Sequence, residues 1–123
     1  MIIHESSENY LEAMLMLREE KGYIRSVDVA EKLGVKKPSV SYATKRLRES
    51  GFLTMEENGL IFLTDAGYRI AERTYTRHKM LTEFLMHLSV DAETAREDAC
   101  RLEHDLSEQS FDAICRYAQE NGI

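Results

Sequence analysis

Two cysteines, Cys100 and Cys115, are all that 123 residues contain, which is too few for a disulfide framework. The N-terminus lacks the charged-then-apolar pattern of a secretory leader, so a reducing cytoplasm is the expected compartment. No run approaches the roughly 20 apolar residues of a membrane-crossing helix, and no membrane partner is expected. Proline occurs once, at Pro38, and no linker rich in Gly, Pro and Ser, no repeat and no low-complexity tract interrupts the chain. The length fits one compact domain or two small lobes sharing a helix. Also absent are HExxH, a nucleophile elbow and a phosphate-binding loop, so no enzyme is expected.

Charge of one sign is scarce overall but concentrated locally. The formal net charge is -6, yet Lys32, Lys36, Lys37, Lys45, Arg46 and Arg48 lie within one short segment that holds no acidic residue. That segment is +6, so the remainder is -6 minus 6, or -12. Phosphate contact needs local positive potential, and here a single stretch supplies it.

The hydrophobic pattern is mostly helical. After Ser6 and Ser7, both candidate N-caps, Tyr10, Leu11, Met14, Leu15 and Leu17 recur at helical spacing until Gly22. Ser26 is expected to cap a short second helix, Val27 to Leu33, which Gly34 ends with a left-handed turn. A third helix should start near Pro38 and run to Ser50, packing through Val40, Ala43 and Leu47. Its other side presents donors and cations: Ser39, Ser41, Tyr42, Lys45 and Arg46. Asn58-Gly59 between apolar runs at 52–55 and 60–63 signals a hairpin. Thr64 should cap a long fourth helix to about residue 88, with Ala66, Ile70, Ala71, Met80, Leu81, Phe84, Leu85 and Leu88 apolar. A fifth is expected over about 91–106, and a sixth from Ser107 and Glu108 with Phe111, Ile114, Cys115 and Ala118 inward. Three basic and ten acidic residues follow position 80, so this half does not meet phosphate.

Helix, turn, basic helix and hairpin in that order predict a winged helix-turn-helix that binds double-stranded DNA. Lys36, Lys37, Lys45 and Arg48 would mainly neutralise phosphates, Ser39, Ser41 and Tyr42 could reach base edges, and Arg46 belongs to the same DNA-binding face. A second constellation is Cys100, Glu103 and His104, which at i, i+3 and i+4 share one helix face. Thiolate, carboxylate and imidazole suit a borderline divalent transition metal. His4, His87 and Cys115 read as ordinary structural residues.

The segment Asp98-Ala99-Cys100-Arg101-Leu102-Glu103-His104, with Glu8-Asn9-Tyr10-Leu11-Glu12 and Arg77-His78-Lys79, resembles the diphtheria toxin repressor and manganese transport regulator family of metal-dependent repressors. The resemblance implies a mainly α fold: residues 1–74 as a winged helix-turn-helix with a two-stranded wing, and residues 75–123 as a helical metal-binding and dimerisation region. It implies metal ligands at Asn9, Glu12, His78, Cys100, Glu103 and His104, Fe2+ or Mn2+ as the ion, a homodimer, and a palindromic operator controlling metal homeostasis. Asn9 departs from the family's aspartate or methionine. Arg96 and Thr82 depart from the family's second metal site. Members with an SH3-like third domain are longer, so the short branch is expected. The rival expectation is a winged-helix regulator governed by an organic ligand or a partner protein.

Overall fold

A computed structural model describes residues 5–123; His4 lies outside the described residues. The chain divides into two compact units, the first ending at Arg73 and the second running from Thr74 to Ile123. Among the described residues no helix is long and apolar enough to cross a membrane.

The first unit contains α1 (Glu5–Lys21), α2 (Ser26–Leu33), α3 (Lys37–Glu49), β1 (Leu53–Met55), β2 (Ile61–Leu63) and the start of α4 (Asp65–His87). Its core is formed by Leu11 and Met14 of α1, Ile24, Val29 of α2, Val40 of α3, Leu53 and Ile61, all fully buried. Burying each such side chain contributes about 1.5–3 kcal/mol. The ion pairs Lys21–Asp28 at 2.9 Å and Lys32–Glu20 at 3.1 Å tie α1 to α2 at the surface. Exposed pairs of this kind are worth at most about 1 kcal/mol, so apolar burial sets the helix arrangement.

Gly34 ends α2 at φ 66°, and its amide and that of Val35 return to the last turn. Pro38 sits in the first turn of α3, where the missing N–H costs nothing. In the wing, Leu53, Thr54 and Met55 pair antiparallel with Leu63, Phe62 and Ile61. The Glu56 carbonyl accepts from Gly59 N–H at 2.9 Å, and Gly59 takes φ 88°. That is a three-residue hairpin with glycine in the left-handed region. Thr64 caps α4: its Oγ1 accepts from Gly67 N–H at 3.2 Å and donates to the Gly51 carbonyl at 2.7 Å.

Several local expectations are corrected. Helix α1 begins at Glu5, so Ser6 and Ser7 lie inside its first turn rather than capping it. Arg25, not Ser26, is the extended residue before α2, and no side chain caps that end. On α3 the buried row is Val40, Thr44 and Leu47, with Ala43 only half-buried. The offsets of four and three fit a helix as well through Thr44 as through Ala43, and the threonine methyl lets it turn inward. Ala66 and Leu88 of the fourth-helix stripe are exposed.

The second unit holds the rest of α4, then α5 (Ala92–Asp105) and α6 (Glu108–Glu120). Asp91 and Ser107 are side-chain N-caps, accepting from Thr94 N–H and Ser110 N–H, both at 3.1 Å. Phe84 of α4 meets Tyr117 of α6 edge-to-face, with centroids 6.3 Å apart. The row Ala95, Ala99 and Glu103 is the buried face of α5. Of the expected α6 face only Ala118 is fully buried, and Phe111, Ile114 and Cys115 remain half-buried.

Candidate metal centre and nucleic-acid interface

The buried row of α5 ends on a carboxylate. Two small alanines, Ala95 and Ala99, bring that face close to its neighbours, and Glu103 follows four residues later in the same row. Its side chain is 0% exposed. His78 of α4 places Nδ1 3.0 Å from Glu103 Oε2, and His104 places Nε2 3.3 Å from Glu103 Oε1. These separations are short, yet the angles do not suit hydrogen bonds. His78 Nδ1 and both Glu103 oxygens make no directional hydrogen bond among the described residues.

A carboxylate removed from water costs several kcal/mol unless a positive charge compensates it. A cation beside the carboxylate would supply that charge. The His78 nitrogen and the Glu103 carboxylate lie close together without a hydrogen bond between them, which suits a divalent ion, and imidazole with carboxylate matches the borderline transition metals. The donor set therefore fits an iron- or manganese-type ion.

The other expected ligands are placed as follows. Cys100 is exposed, because it lies one residue beyond Ala99 and so is turned about 100° from the buried row. In the first unit, Glu12 of α1 is 7% exposed and Asn9, one turn earlier, is half-buried.

The basic segment of the first unit forms the outer face of α3. Lys36, Lys37, Ser39, Ser41, Tyr42, Lys45, Arg46 and Arg48 are all exposed. Tyr42 is 64% exposed, and Arg46 Nη1 donates to its hydroxyl at 3.3 Å with the guanidinium carbon 5.7 Å from the ring centroid. This pairing restricts two long side chains before any ligand arrives. Arg48 leans toward the wing, with Nη1 4.0 Å from Met55 Sδ. Ser6, Ser7 and Tyr10 of α1 line a cleft with Ser39, Tyr42 and Arg46 of α3. Sequence reasoning placed the two serines ahead of the helix as caps and so gave no sign that they line this cleft.

Two family matches cover the chain: residues 3–60 match the iron-dependent repressor N-terminal DNA-binding domain, and residues 64–121 match the iron-dependent repressor metal-binding and dimerisation domain. The transcriptional regulator MntR of Salmonella typhimurium is 37% identical over 118 residues, 96% of this chain and 75% of that protein. The HTH-type transcriptional regulator MntR of Bacillus subtilis is 39% identical over 109 residues, 89% of this chain and 77% of that protein. Among solved structures, the manganese regulator SloR superposes with a TM-score of 0.81 at 29% identity, covering 92% of this chain and 53% of that one. The metal-dependent transcriptional regulator MtsR gives a TM-score of 0.84 at 27% identity with the same coverage. The chain thus spans about three quarters of those curated relatives and about half of those solved chains. It belongs to the iron-dependent repressor family of metal-dependent transcriptional regulators, which are not enzymes.

Proposed function

We propose that this chain is a cytoplasmic repressor that binds a palindromic operator as a homodimer when loaded with Mn2+ or Fe2+, and so controls metal homeostasis. Residues 1–74 act as the DNA-binding domain and 75–123 as the metal-binding and dimerisation domain. The observation that carries the reading is the buried Glu103 carboxylate, flanked at 3.0 and 3.3 Å by imidazole nitrogens with no hydrogen bond between them. Glu103, His78 and His104 hold the ion from α4 and α5, and Glu12 with Asn9 from α1 and Cys100 from α5 complete the ligand set. Bound there, a divalent ion would supply positive charge at the buried Glu103 carboxylate.

Glu12 is then the residue through which the reading head responds to metal. In a two-fold dimer the recognition helices must stand about 34 Å apart to enter successive major grooves. Ligands drawn from separate elements favour that arrangement only by as much as they bind the ion better in it. The exposed Met86, Leu88, Leu102 and Tyr117 of the second unit support the homodimer, since apolar groups of this size are usually covered in an assembly. On and just before α3, Lys36, Lys37, Lys45 and Arg48 meet phosphates, Ser39, Ser41 and Tyr42 meet base edges, and Arg46 shares that DNA-binding face.

The test is duplex affinity measured anaerobically across a series of divalent ions at fixed salt, with a site selected from a random duplex pool. Mn2+ or Fe2+ should tighten binding at least tenfold, or ~1.4 kcal/mol, and the selected site should be two-fold symmetric. Glu103→Ala should abolish the metal response and leave the dimer intact by light scattering. Affinity that ignores chelator in the wild type would instead favour control by an organic ligand or partner protein.

A further inference from the structure

Beside the metal-type cluster lies a buried cation that none of the roles above uses. Arg77, the residue before His78 on α4, is only 9% exposed. Its Nη1 donates to the Glu103 carbonyl at 3.2 Å and to the Leu106 carbonyl at 2.8 Å. The guanidinium carbon stands 4.9 Å from the centroid of the Phe111 ring of α6.

The position of these acceptors matters. Helix α5 ends at Asp105, and Leu106 leaves it in extended geometry, so the carbonyls of its last turn lack helical partners. A cation is favoured there by the helix dipole, and a single guanidinium nitrogen, Nη1, serves both carbonyls. Consecutive residues of α4 thereby hold Glu103 at both ends: Arg77 takes its carbonyl, and His78 stands 3.0 Å from its carboxylate. The last turn of α5, which carries both Glu103 and His104, is pinned against the helix that carries His78.

We propose that Arg77 is a positioning residue for metal binding: it fixes the end of α5 so that the Glu103 carboxylate and the His78 ring converge on one ion. The proposal rests on the reading of His78 and Glu103 as ligands. Phe111 packs on the guanidinium. A lysine keeps the charge but lacks the planar guanidinium that packs on the Phe111 ring while one nitrogen reaches both carbonyls, and a methionine keeps neither charge nor donor.

The experiment titrates Mn2+ into the full-length wild type, Arg77→Lys and Arg77→Met, following free Mn2+ by electron paramagnetic resonance well below each variant's metal-free melting temperature, which is measured in parallel. Arg77→Lys should weaken Mn2+ binding about tenfold, or ~1.4 kcal/mol, and Arg77→Met further, with the loss remaining after correction to the folded fraction. A purely structural arginine would lower the melting temperature yet leave the Mn2+ affinity of the folded protein unchanged, and that result overturns the proposal. If Arg77→Met does not fold, Arg77→Lys decides by the same comparison. Wild type that takes up no Mn2+ removes the metal reading and this inference together; wild type that binds while both variants match it removes this inference alone.

Discussion

Gly67 shows how one missing side chain admits a neighbouring backbone. It occupies the first turn of α4, and a Cβ built there would lie 1.9 Å from the Phe52 carbonyl oxygen. The obstruction is backbone, so it cannot rotate away. Alanine would gain about 1 kcal/mol in helix propensity, whereas forcing atoms into a filled space costs about 1–3 kcal/mol, and at this separation the clash should dominate. Gly67→Ala should therefore lower the urea midpoint of unfolding; a higher midpoint would reverse the argument. Thr44 is a different case, since its hydroxyl is buried with no hydrogen-bond partner among the described residues. It faces inward because its methyl completes the α3 row with Val40 and Leu47.

The helices of the second unit have well-defined ends. Ser89 closes α4 at φ 74°, and the amides of Ser89 and Val90 return to the Met86 and Leu85 carbonyls. Asp91 then opens α5: its carboxylate accepts from the Thr94 amide at 3.1 Å and from the Thr94 hydroxyl at 2.7 Å. The amide bond first, and the hydroxyl bond second, hold this carboxyl below its ordinary value. Because the folded value is the lower one, the unfolded chain binds the proton more readily as acid is added. The cap's contribution is thus complete above the unfolded value of about 3.9 and is lost as pH falls through the depressed one. Asp91→Asn keeps an acceptor but no charge. The stability difference between wild type and this variant should be constant above about pH 5 and change in the variant's favour on further acidification. A difference that stays flat down to about pH 2 would contradict the assignment.

Taken whole, the molecule separates its charges. Six cations without an interleaved acid lie between Lys32 and Arg48, although the net charge is -6. The acidic remainder disfavours indiscriminate attraction to nucleic acid, and the exposed face of α3 concentrates what attraction there is. Binding to duplex should consequently weaken steeply with salt, and Lys45→Ala should reduce the slope of log affinity against log salt by about 1 for each phosphate contact removed. Equal slopes for the variant and the wild type would exclude Lys45 from the phosphate contacts.

Much of this architecture was legible before any coordinates, because it rests on short-range chemistry. Gly34 turning after α2, Pro38 in the first turn of α3, Asn58-Gly59 in the wing and Thr64 at the start of α4 each act through neighbours a few residues away. Helical spacing likewise located the helices to within a residue or two, and the clustered cations marked α3. Packing between distant segments was not legible. Spacing put Cys100, Glu103 and His104 on one face of a helix, but how far α5 rotates about its axis depends on Ala95 and Ala99, which bury Glu103 and leave Cys100 exposed. Nothing periodic marks Arg77 as the group that meets the end of α5, or Gly67 as the point where the wing backbone presses on α4. Those arrangements bring together residues 26 and 15 positions apart (Arg77 with Glu103, Gly67 with Phe52), and such pairs are selected by how whole helices fill space, not by the order of neighbours along the chain.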